Sequence, residues 1–91
     1  MKSNYQMLLQ LETFKPKHRG FLIGEEVDYL RETFHIEERS NIELQNLRDF
    51  AVMYYSLKCD KESQKAWELS DIMSGICGVI DDEKFKRGME I

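Results

Sequence analysis

The chain predicts an all-α fold: a small four- or five-helix bundle built on an antiparallel helical hairpin, about residues 41–58 and 61–77. Three observations carry this. Ala66, Leu69, Met73, Ile76 and Ile80 recur at steps of three and four, the seam period of a helix packed on other helices. Leu47, Phe50, Tyr54 and Leu57 repeat the same spacing just upstream. The 91 residues contain only one proline and five glycines, too few breakers for a many-turned β fold.

The elements follow in order. Ser3 and Gln6 sit at capping-box spacing, and Met7, Leu8, Leu11 and Phe14 share a face, so a first helix is expected over about 4–14. Pro16 ends it, because the residue before proline is pushed out of helical geometry. Residues 15–24 read as a connector, with the apolar triplet Phe21-Leu22-Ile23 anchoring it on the core. Glu25 and Glu26 suit the positive end of a second helix, about 25–34, carrying Val27, Leu30 and Phe34. His35 at its end meets favourable carbonyl dipoles and is expected on the surface or in a cap.

Ser40 and Glu43 form a second capping-box match and open the third helix. The two long helices are expected to meet at a short link near Cys59-Asp60, with Asp60 capping the fourth. A link that short demands antiparallel neighbours. Gly75 and Gly78 predict a stop near Gly78; the alternative is that Ser74 and Gly78 admit a closely approaching backbone. Asp81 or Asp82 then caps a short final helix holding Phe85 and Met89. One domain, 1–91, is expected, with a core of marginal size.

Hydrophobic content of 42% and charged content of 33% suit a globular protein rather than a disordered one. The opening residues carry Gln6, Gln10 and Glu12 where a secretory signal needs apolar residues, and no apolar run is long enough for a membrane span; a cytoplasmic setting is expected. The net charge of −4 is unevenly spread: residues 1–20 hold four bases and one acid (+3), 21–48 three bases and seven acids (−4), and 49–91 six bases and nine acids (−3). A mildly acidic chain argues against general nucleic-acid binding. One alternative keeps that function in play: Lys15, Lys17, His18 and Arg19 as phosphate contacts on the connector, against a plain solvated loop. A helix-turn-helix reader is disfavoured, since Asn41, Gln45 and Asn46 open the third helix without a base before Arg48.

Chemical motifs are sparse. No CxxC or HExxH spacing occurs, and no metal or cofactor is expected. With one continuous helix between them, Cys59 and Cys77 stand roughly 27 Å apart, beyond disulfide reach. Cys77 reads as a small buried hydrophobe and Cys59 as an exposed thiol. A small enzyme would have to draw on Cys59, His18 or the carboxylates of the second helix, and none of these forms a sequence-local pair.

The functional expectation is therefore a non-enzymatic, cytosolic protein-interaction module: a regulator, adaptor or inhibitor. Its candidate docking residues are the acids Glu25, Glu26, Asp28 and Glu32, suited to a basic partner surface, and the flank residues Met53, Tyr55 and Trp67, since methionine and aromatics are enriched at interfaces. The third helix is apolar over more than half its girth from Phe50 to Leu57. That pattern belongs to a helix buried on several sides and points to self-association as a dimer or to a partner helix.

Overall fold

A computed structural model of the chain describes residues 3–11, 14–18, 20, 22–61 and 66–88. Among these it shows four α-helices and no β-strand: α1 (Asn4–Gln10), α2 (Gly24–Thr33), α3 (Asn41–Lys61) and α4 (Ala66–Lys86), with a 3₁₀ turn at Ile36–Glu38.

Both predicted capping boxes form. The Gln6 N–H donates to Ser3 Oγ (3.2 Å) while Gln6 Oε1 accepts from the Ser3 N–H (3.0 Å). Ser40 and Glu43 repeat the exchange at 3.2 and 3.0 Å. Each box satisfies two amides that a helix start leaves without partners. At α2 only half a box exists, because Ile23 has no side-chain acceptor: Glu26 Oε1 accepts from the Ile23 N–H at 2.9 Å. This helix ends at Thr33, and His35 takes the left-handed conformation (φ 52°) that commonly follows a helix. Glycine usually holds such a position. Here the imidazole faces Glu38 at 3.5 Å instead.

The centre of the molecule is the α3–α4 pair. It is antiparallel, as Arg48 meets Asp81 and Asn41 meets Arg87. Three expectations about it are corrected. Cys59 and Asp60 are not the turn: α3 continues to Lys61, and the link falls on residues 62–65, outside the described residues. No stop occurs at Gly78 and no separate fifth helix follows, since α4 runs unbroken to Lys86. Val79, Ile80, Glu83 and Lys84 extend its buried face past the glycines. Tertiary packing of that face outweighs a helix penalty of about 1 kcal/mol per glycine. Phe85, expected on a separate short final helix, lies on α4 itself and is 72% exposed, and Met89 lies outside the described residues.

The third correction is rotational. On α3 the fully buried residues are Leu44, Leu47, Ala51 and Tyr55, not the Leu47, Phe50, Tyr54 and Leu57 stripe. Phe50 and Tyr54 are pushed to the edge of the core, and Leu57 is left 57% exposed. Ala51 is the small residue on this buried face. On α4 the core residues are Leu69, Ile72, Ile76, Val79 and Ile80, with Met73 half-buried beside them.

The remaining elements close over this pair. α1 buries Met7 and Leu8, with Leu11 just beyond its end. The Tyr55 hydroxyl donates to the Leu8 carbonyl at 3.1 Å, hanging α1 on α3. Arg39 is buried nearby; its Nε donates to the Phe34 carbonyl (2.6 Å) and its Nη2 lies 3.9 Å from Met7 Sδ. Burial pushes this guanidinium below its ordinary value, with Glu43 opposing the shift. Phe14 stacks on Tyr29 (ring centroids 5.5 Å apart), fastening the connector to α2. Leu22 of the apolar triplet packs against the core as expected, whereas Phe21 lies outside the described residues.

Candidate functional site

The acidic residues of α2 do not act as one surface. Glu26 is 5% exposed, and both its carboxylate oxygens are engaged, by the Ile23 N–H and by the Lys17 N–H at 3.0 Å. It is a structural clasp, which corrects its assignment to docking. Glu25 points outward and pairs with Lys17 at 3.5 Å. Asp28 and Glu32 are exposed and, with Arg31, His35, Glu37 and Glu38, line an open groove of about 520 Å³. Arg31, itself in the groove lining, pairs with Glu83 (2.7 Å) and keeps a longer contact to Glu37 (3.4 Å). Among the described residues no three His, Cys, Asp or Glu side chains gather as a metal site requires.

Of the basic connector residues, Lys15 and His18 are exposed, Lys17 is paired with Glu25, and Arg19 lies outside the described residues. The same segment is clamped onto carboxylates of Glu26 and Asp71. Acid therefore sits directly beside base, which offsets the positive field a phosphate contact would use.

Neither thiol is activated. Burial pushes Cys59 and Cys77 above the ordinary thiol value; Arg48 opposes this at Cys77, while Asp81 and Asp49 add to it. The thiolate, not the thiol, is the nucleophile. Both cysteines are free. Cys77 is half-buried rather than fully buried, and Cys59 is likewise half-buried rather than exposed, its thiol 3.5 Å from the Ala66 carbonyl.

The flank residues divide. Met53 is 53% exposed, as a docking residue needs to be. Tyr55 is fully buried, because the rotation of α3 brings it under α1; its assignment to a docking surface is corrected. Trp67 is half-buried. The structure adds residues to Met53 that the sequence reading missed. Leu57, one turn along α3, is 57% exposed, and Tyr5 and Leu9 of α1 are 52% and 42% exposed. Tyr54 joins the two helices: its ring meets Tyr5 edge-on at 5.7 Å and stacks with Phe50 at 6.4 Å. Lys58 lies over the same ring at 5.9 Å. The signal was present at Tyr5 and Leu9, apolar residues four apart and off the Met7-Leu8-Leu11 face. It implied a second apolar face on a short helix.

The result is an aromatic and methionine strip across the α1–α3 seam: Tyr5, Leu9, Phe50, Met53, Tyr54 and Leu57. The strip holds no carboxylate, thiol or imidazole, and what it offers is apolar surface to bury. Comparison with protein-family models, curated proteins and solved structures finds no match to this chain.

Proposed function

We propose that the chain is a small helical protein-interaction module acting in the cytosol, a regulator, adaptor or inhibitor that binds through the α1–α3 strip. The observation that supports this most is the company of Met53 on α1 and α3: four large apolar side chains, Tyr5, Leu9, Met53 and Leu57, are each more than two-fifths exposed, and Tyr5 meets the Tyr54 ring edge-on across the two helices. Together they leave on the order of 400 Å² of apolar surface in water, the size at which a patch on a small protein is commonly functional. Methionine and tyrosine supply adaptable contact area at modest entropic cost.

The occupant is a different protein presenting an apolar anchor, not a second copy. A standard stable interface takes roughly 800 Å² from each partner. Two strips facing each other fall well short of that and make at most a fleeting dimer. A partner with its own ridge reaches past the strip and adds contacts elsewhere.

A photo-crosslinking residue at position 53, tested in the native cell against one at Lys86 on the far helix, decides this. The expected result is a discrete heterologous adduct from position 53 alone, lost on Leu57→Glu. Adducts with other copies of this chain, or equal adducts from both positions, would overturn the reading. Sedimentation at micromolar concentration should give the monomer mass.

A further inference from the structure

Three methionines fall among the described residues, and their surroundings differ. Met7 is 2% exposed, with its sulfur 3.9 Å from the Arg39 guanidinium. Met73 is half-buried on α4 and packs against the core. Met53 is 53% exposed, lies on the α1–α3 strip one turn from Leu57, and is not among the residues packed on the core. Oxidation of a thioether follows access to its sulfur. Of these three, the one open to an oxidant is the one on the strip.

The two thiols compete poorly. Both are half-buried, and burial pushes each above the ordinary thiol value, away from the reactive thiolate. Tyr5, Leu9 and Leu57, the other exposed residues of the strip, contain no sulfur.

An oxygen added at position 53 acts in one state only. In the free chain the sulfoxide faces water, as the exposed Asp49 and Ser56 do on either side of it along the helix, and no core contact is lost. Pressed against a partner's apolar anchor, the same oxygen is buried without a donor. Oxidation therefore spares the fold and opposes the docking.

We propose that Met53 is a peroxide-sensitive switch on the α1–α3 strip: the thioether form docks the partner and the sulfoxide form does not. The thioether sulfur attacks one oxygen of hydrogen peroxide, and the O–O bond breaks as the S–O bond forms. Sulfur gives up two electrons, the peroxide is reduced, and its second oxygen leaves as water. Enzymatic reduction by a dithiol returns the thioether, the dithiol becoming a disulfide and the oxygen leaving as water. The switch presupposes that the strip docks a protein, as proposed above.

The test exposes the full chain to hydrogen peroxide, removes it, and adds dithiothreitol, which returns disulfides and sulfenic acids to thiols and leaves the sulfoxide. Peptide mass mapping should find Met53 oxidised at least about tenfold faster than Met7 or Met73. The melting temperature should move by no more than about 3 °C. A photo-crosslinking residue at Ser56, beside the strip, then reports docking in gel-filtered native-cell extract. Its heterologous adduct should fall at least about tenfold on oxidation, and methionine sulfoxide reductases should restore it. Met53→Leu should give the adduct before and after peroxide alike. An adduct that persists with Met53 fully oxidised overturns the switch and leaves the docking standing. So does loss of the adduct from peroxide-treated Met53→Leu, or oxidation of Met7 and Met73 as fast as of Met53. No adduct from the untreated chain overturns the docking itself, and the switch with it.

Discussion

The two ends of the α3–α4 pair are built on opposite principles. At one end, where α3 begins and α4 finishes, Glu83 is 8% exposed and sits between two arginines, with Oε1 on Arg31 (2.7 Å) and Oε2 on Arg87 (2.9 Å). Arg87 continues to Asn41 and to the carbonyls of Ile36 and Glu37. Next to it the buried Lys84 ammonium meets the Gln45 side-chain carbonyl. Four elements are tied there by directional, charge-assisted bonds. Toward the middle and other end, α3 carries Phe50, Met53, Tyr54 and Leu57, with no comparable ion-pair network among the described residues. Directional bonds set register, since a helix slid by one residue breaks all of them. Exposed apolar side chains make no directional bonds and place little constraint on register. One end fixes the register of the fold and the other leaves apolar surface exposed.

Breaking that division should cost most where the two ends share a core. Ile76 is fully buried midway along α4. Ile76→Asp loses roughly 2–3 kcal/mol of apolar burial and adds an unpaired buried charge, enough to unfold a domain of this size. Loss of helical circular dichroism and of a cooperative melt is expected.

At the polar end, Glu83→Gln should cost about 2–4 kcal/mol, as it leaves two arginines facing a neutral amide. The pH dependence has a definite sign. The Arg31 bond, reinforced by Arg87 and opposed by burial, holds the Glu83 carboxyl below the ordinary carboxylate range. An acid depressed on folding stabilises the native state fully above its unfolded pKa of about 4.3 and loses that contribution as pH falls through the lower folded value. The native protein's melting temperature should therefore fall steeply below about pH 4, and Glu83→Gln should flatten that part of the profile. Equal acid sensitivity in both proteins would show that the network's charge is not what stabilises this end.

The smallest effect on stability belongs to the strip. Leu57→Glu replaces a residue already 57% exposed, so the melting free energy should move by no more than about 0.5 kcal/mol. A loss larger than 1–2 kcal/mol would mean that Leu57 is packed after all, and the contrast between the ends would weaken.

How much of this could be read beforehand depends on the distance over which each signal acts. The two capping boxes are local chemistry, three residues across, and both form as read. The hairpin rests on a period of three and four, and that period survives. The phase of α3 does not, because 47/50/54/57 and 44/47/51/55 are both valid apolar stripes. What separates them is which face α1 and α4 press upon, a fact lodged in other segments. The Gly78 stop failed similarly: the glycine's weak helix preference is local, while the packing of Val79, Ile80 and Glu83 that overrides it is not. Met53 and Tyr55 both lie off the expected stripe, which marked one of the two as exposed without saying which; it is Met53. The burial of Tyr55 was not legible, since it depends on a carbonyl 47 residues away. The double engagement of Glu26 was equally hidden, as it requires the connector to fold back onto the start of α2.

The Tyr55 hydroxyl has a consequence beyond its own bond. Through the Leu8 carbonyl it holds the short first helix in place, with Arg39 reaching Met7 from beneath. Tyr5 and Leu9 ride on the outer side of that same helix. Interior and exterior are thereby mechanically geared: a change that lets α1 swing away dismantles half of the exposed apolar strip without touching a single residue on it, and anything that held Tyr5 in place would in turn make the interior harder to melt.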